Sequence, residues 1–149
     1  MSENTRTPAQ VYCLVFGVVL VLAAIVGFFT NSSFDTGDDA PRDALIGLFD
    51  VNGWHNVVHL LSGLAALAVA GSRPGARLFA FGFGGVYVLI TILGLAAGDN
   101  STLFGLIPIN TEDNFLHLFI ALVSLVIGFG QSSAPAPSSR EPGPGFRFN

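Results

Sequence analysis

Four stretches of the chain are apolar over lengths that suit membrane spans. Residues 11–29 run for 19 positions without a charge, and residues 78–97 for 20. Two further runs, 54–70 and 115–130, open with polar residues and then turn apolar. A bilayer core about 30 Å thick is crossed by roughly 20 helical residues rising about 1.5 Å each. The pattern predicts an all-α transmembrane fold with spans at about 11–29, 53–70, 78–97 and 112–130. These form one domain, 11–130, between a short segment, 1–10, and a tail, 131–149. The tail is rich in Pro, Ser and Gly and is expected to be disordered, since it has too little apolar area to offset its ordering entropy. The first run is longer than a secretory h-region, and Gly27-Phe28-Phe29-Thr30 makes a poor cleavage site, so it reads as a retained helix. In the long loop that follows, residues 43–49 alternate enough to suggest a short interfacial helix.

The chain also resembles itself. With an offset of 58 residues, 47–67 falls on 105–125 with eight of 21 positions identical. The informative matches are polar: Asn52 with Asn110, Asn56 with Asn114, and His59 with His117. With an offset of 67, residues 16–27 fall on 83–94 with seven of 12 identical. Each copy is a helical hairpin with an even number of spans, so the two share one orientation. The architecture expected is a four-helix bundle from two parallel helical-hairpin repeats.

Composition narrows the class. The chain is 51% hydrophobic and 11% charged over its 149 residues, against roughly 25% charged in soluble domains. Its mean hydropathy is +0.64. Six arginines, no lysine and ten acidic residues leave no footprint for nucleic acid. Arginine also sets the orientation. Arg6, Arg73, Arg77, Arg140 and Arg147 fall on one side of the spans, and Arg42 alone on the other. The positive-inside rule then places both termini in the cytoplasm, with two acidic loops outside.

The repeated polar residues are the candidate site. On a helical wheel Asn52, Asn56 and His59 share one face with Gly63, Ala66 and Ala70, and the second copy presents Asn110, Asn114 and His117 likewise. Apart from Glu112 at the mouth, the opposite faces are apolar and suit lipid. A polar face must turn inward, because an unpaired polar group in hydrocarbon costs several kcal/mol. Asn52 and Asn110 stand where N-caps belong. The bland reading is one cluster of interhelical hydrogen bonds between spans two and four that fixes register. Sharper readings remain open beside it. His55 and His59 are four apart, as are Asp113 and His117, so His55, His59, Asp113 and His117 offer three imidazoles and a carboxylate to a transition metal. The wheel sets His55 and Asp113 about 60° off the centre of the inner face, which weakens that reading. His59 and His117 are also candidate axial ligands for haem. A proton or ion path is less supported, since below Leu60 and Leu118 little is polar beyond Ser62, Ser124 and Thr91. Cys13 reads as a small core residue. No nucleophile constellation is visible, and catalytic residues are not assigned.

The pattern GLFDVNxxHNxxHLxxGL followed by GLxPxNTxDNxLHL resembles domain-of-unknown-function family 4383 (DUF4383), small four-span membrane proteins mostly from high-GC Gram-positive bacteria. The resemblance runs over about residues 11–129 and is most specific at the paired Asn-x-x-His-Leu motifs, 56–60 and 114–118. Asn52, His55, Asn110 and Asp113 fit the same pattern. Gly53 stands where a proline after the first asparagine is more usual. The resemblance implies the fold and a bacterial cytoplasmic (inner) membrane, and it supplies no activity. The expectation is a non-enzymatic membrane module, in contact with the lipid bilayer, that associates with itself or with another membrane protein. No cofactor is expected. The alternative is a metal- or haem-binding membrane protein with a redox or sensing role.

Overall fold

The computed structural model describes residues 5–37 and 40–130. The expected disordered tail, with Arg140 and Arg147, lies outside the described residues. Among them the fold is mainly helical, with four helices and two small β-hairpins. The order is α1 (Pro8–Thr30), β1 (Asp43–Leu45), β2 (Phe49–Val51), α2 (Gly53–Val69), α3 (Arg73–Ala97), β3 (Ser101–Leu103), β4 (Ile107–Ile109) and α4 (Thr111–Phe129). Helices α1, α3 and α4 are long and apolar enough to cross a membrane. Helix α2, at 17 residues, is shorter; at about 1.5 Å per residue it spans roughly 26 Å.

Local sequence explains the helix ends. Thr7 and Gln10 form a capping box ahead of α1, with Pro8 in the first turn. Ser72 caps α3 and accepts from the Gly75 amide at 3.2 Å, with Pro74 in the first turn. Helix α3 thus begins at Arg73, ahead of the expected start at 78. Arg77 sits inside the helix, where its Nε donates to the Gly128 carbonyl near the end of α4 at 3.0 Å.

The stretch expected as an interfacial helix is instead a β-hairpin. β1 and β2 pair antiparallel with Leu45 opposite Phe49, and β3 and β4 pair in the same register with Leu103 opposite Ile107. The cause is Ile46-Gly47, both at positive φ (51° and 76°), which closes a tight turn and leaves too few residues for a helix. Two consecutive left-handed residues match the twist of a two-stranded ribbon. Phe104 and Gly105 do the same in the second hairpin, at 56° and 67°. A branched or aromatic residue at such a φ is strained, and both tips are solvent- or lipid-facing, Ile46 being 75% exposed and Phe104 77%.

Helix α1 lies along α2 and α3 lies along α4, with the two pairs meeting most extensively through α1 and α3. Positions related by the two offsets make matching contacts. A Cβ on Gly17 would stand 2.8 Å from Leu67, and one on Gly84 2.8 Å from Leu125. Small residues at such crossings let helix backbones approach closely. One apolar core, around Ala9, Cys13, Ala66 and Ala76, fills the end away from the hairpins. A second, around Leu20, Phe83, Tyr87 and Ile120, lies nearer them. Cys13 is fully buried there, as expected of a small core residue. Of the hydroxyls below the histidines, Ser124 bonds Tyr12 at 2.6 Å and Thr91 bonds the Tyr87 carbonyl at 2.8 Å.

Candidate functional site

The six repeated Asn and His residues separate by partner. Outermost are the caps. Asn52 accepts from the His55 amide at 3.0 Å and Asn110 from the Asp113 amide at 2.8 Å, as N-caps do. Each then reaches into the other half of the molecule. Asn52 Nδ2 donates to the Leu106 carbonyl at 2.7 Å, and Asn110 Nδ2 donates to the Leu48 carbonyl at 2.8 Å. Both carbonyls follow the left-handed glycine of a hairpin turn. One side chain therefore starts a helix and fastens the opposite hairpin, twice over.

Asn56 and Asn114 turn toward the partner helix of their own pair. Asn56 Nδ2 donates to the Asn31 carbonyl at 2.8 Å, at the end of α1. A Cβ on Gly27 would collide with Asn56 Oδ1, and one on Gly94 with Asn114 Oδ1. Neither amide oxygen has a conventional hydrogen-bond partner. The glycine Cα–H that faces each oxygen is a weak donor, and its recurrence at equivalent positions marks it as part of the packing.

His55 and Asp113 occupy equivalent positions and both are buried, though the wheel set them off the centre of the inner face. The hairpins explain this, because they cover the side that bare helices would leave open. Both residues hold the backbone of Asp50. Asp113 Oδ2 accepts from the Asp50 amide at 3.1 Å and from the Asn110 amide at 3.2 Å. His55 Nδ1 stands 2.8 Å from the Asp50 carbonyl. A carbonyl only accepts, so Nδ1 carries the proton and a neutral His55 keeps its lone pair on Nε2.

The three imidazoles meet between the two halves. The His55 ring lies 4.5 Å from that of His59 and 6.3 Å from that of His117. Tyr87 meets His117 edge-on at 5.2 Å. The Nδ1 atoms of His59 and His117 are buried without a hydrogen-bond partner. His55, His59, Asp113 and His117 also line one cavity of about 240 Å³ between α1 and α4, roofed by the first hairpin. They are thus brought together as a neighbourhood. Among the described residues, however, no group of three or more His, Cys, Asp or Glu is arranged to hold a metal ion.

This interlocked pair of Asn/His motifs carries the resemblance noted in the sequence. The family model of DUF4383, a domain of unknown function, matches residues 10–130. The chain belongs to this family. No curated protein and no solved structure matches it. The match takes in α1 from its third residue and runs past the end of α4.

The reciprocal hold of Asn52 and Asn110 on the opposite hairpins was not legible in the sequence, because it depends on turns that alternating polarity does not reveal. Equality of spacing after the two Gly-Leu pairs, 47–48 and 105–106, is the signal that marks them.

Proposed function

We propose that this chain is a non-enzymatic module of a bacterial cytoplasmic membrane, a four-helix bundle built by internal duplication, which associates with a second copy of itself through the outer face of α3. The observation that carries the association is the placement of glycine. Gly17, Gly27, Gly63, Gly84, Gly94 and Gly128 each lie where a Cβ would meet a neighbouring helix or side chain within 3 Å. Gly82 and Gly85 have nothing within 4 Å. Each costs its helix about 1 kcal/mol relative to alanine, and no contact among the described residues repays it. They lie on an exposed stripe with Leu78, Leu89 and Ile92, spaced four and three apart as in a packed helix seam. A second helix approaching closely over those glycines is the arrangement that membrane helices use.

In this reading the asparagines are fasteners and the histidines sit at the centre they enclose. Both termini face the cytoplasm and the hairpins face outward. The association is checked by energy transfer between donor- and acceptor-labelled full-length chains in liposomes. Gly82→Leu/Gly85→Leu is expected to lower transfer several-fold without lowering the thermal unfolding temperature of the monomer, since the new side chains point away from the fold and favour the helix. Undiminished transfer in that variant removes the α3 face from the proposal.

The alternative, a metal- or haem-binding protein with redox or sensing work, draws on the unpartnered nitrogens of His59 and His117. Against it, Asp113 and His55 spend polar atoms on the Asp50 backbone. The 240 Å³ cavity is also too small for haem, whose macrocycle exceeds the ligands that fill pockets of roughly 300–1,000 Å³. Stoichiometric metal or a haem absorption band in purified protein, lost in His59→Ala/His117→Ala, favours the alternative.

A further inference from the structure

We infer that the crevice between α1 and α4 binds a neutral, lipid-soluble ring compound whose hydroxyl or carbonyl oxygen hydrogen-bonds the imidazoles of His59 and His117. The inference rests on the membrane location proposed above and is independent of association through α3.

The two halves of the molecule make the case by differing. Each has a crevice at the same place, beneath its hairpin and leading to the histidines. The one between α2 and α3, under the second hairpin, holds about 70 Å³, and the one between α1 and α4 about 240 Å³. The equivalent lining positions explain the difference. Where the small crevice carries Tyr87 and Ile90, the large one carries Leu20 and Ala23, 67 residues earlier. The same framework therefore packs shut with larger side chains at one site and stays open at the other. A dry cavity of about 150 Å³ takes a benzene ring, so the open crevice has room for one ring and its substituents.

Its chemistry selects the head. The walls are apolar, and Val19, Ile46 and Phe119 at the mouth are exposed on the face that would meet lipid. At the inner end stand His59 and His117, each with a buried Nδ1 lacking a partner. A neutral imidazole offers one donor and one acceptor, which suits a hydroxyl or carbonyl oxygen. An anionic lipid head finds no cation in this lining, where the one ionisable acid is Asp113. A compound with an apolar tail reaches the crevice sideways from the bilayer.

The chain has three histidines, and all three belong to this cluster. Selective ¹⁵N labelling of histidine therefore reports on this site alone. The full-length chain in phosphatidylcholine nanodiscs is titrated with para-octylphenol, with octylbenzene as the oxygen-free control. Saturable shifts of the His59 and His117 imidazole nitrogens are expected with the phenol and not with octylbenzene. Leu20→Tyr/Ala23→Ile copies the residues that fill the other crevice and should weaken phenol binding about tenfold or more, the scale of a steric mismatch in an apolar pocket. Ala23→Ile alone serves if the double variant does not fold. Absence of a saturable shift overturns the inference, as does an equal shift with octylbenzene or one that survives filling of the crevice. A chain that fails to enter nanodiscs counts instead against the membrane location.

Discussion

At the residue scale, glycines with the same composition signal do opposite work. Gly27 and Gly94 exist to admit the side chains of Asn56 and Asn114. Gly27→Ala and Gly94→Ala are each expected to destabilise by about 1–3 kcal/mol through overpacking. Gly82→Ala and Gly85→Ala, with open space around them, should be neutral or gain up to about 1 kcal/mol of helix propensity in monomeric detergent preparations. Unfolding titrations in mixed micelles separate the two classes. Asp50 adds a dependence on pH. Burial raises its carboxyl above the ordinary carboxylate value, with Arg42 and a hydrogen bond from Asn110 pulling the other way. Arg42 Nη1 lies 3.8 Å from Asp50 Oδ2. A carboxyl whose pKa is higher in the folded state favours folding while protonated. That contribution is full below the unfolded value and is lost as pH rises toward the folded one. Asp50→Asn should flatten this decline, seen as unfolding free energy measured across the mildly acidic range. An unchanged slope assigns the decline to another group.

At the element scale, helices were legible and hairpins were not. Long apolar runs and caps such as Asn52 and Asn110 announce helices, because a helix satisfies its own backbone and shows its period locally. Residues 43–51 and 101–109 carry their information differently. Each turn depends on a large residue, Ile46 or Phe104, held at positive φ against its preference, and tertiary bonds from Asn110 and Asn52 to Leu48 and Leu106 make that conformation hold. Propensity alone would not place such residues there. The same bonds make the elements interdependent. Asn52→Ala and Asn110→Ala each lose a helix cap, worth about 0.5–2 kcal/mol, and also release a hairpin. A double-mutant cycle should show coupling of about 0.5 kcal/mol or more, because both bonds secure one interface. Strict additivity would mean that the two hairpins are held independently.

At the scale of the whole molecule, two helix pairs are joined by the contact of α1 with α3 and by the exchange of asparagine bonds at the hairpin end. The paired motifs pointed to the pairing of halves and to the family, since polar identities at a fixed offset survive in an apolar composition. The candidate site was legible as a neighbourhood of His55, His59, Asp113 and His117. Its form was not, because Asp50 and the hairpin backbone compete for the polar atoms that spacing alone assigns to a metal. The open crevice was visible only as Leu20 against Tyr87 and Ala23 against Ile90 in the aligned copies, a difference that gains meaning once both crevices are seen.

The chain is proposed to cross the membrane four times, although α2 has 17 residues where a straight crossing takes roughly 20. Four crossings put both termini on one side, and three put them on opposite sides. The decisive measurement is a pair of topology reporters in the full-length chain, one fused after Asn149 and one inserted at Asp99, read in alkaline-washed bacterial membranes. Four crossings make the terminal reporter active in the cytoplasm and the inserted one active outside it. A terminal reporter active only outside the cytoplasm, or a chain released by the wash, would contradict it.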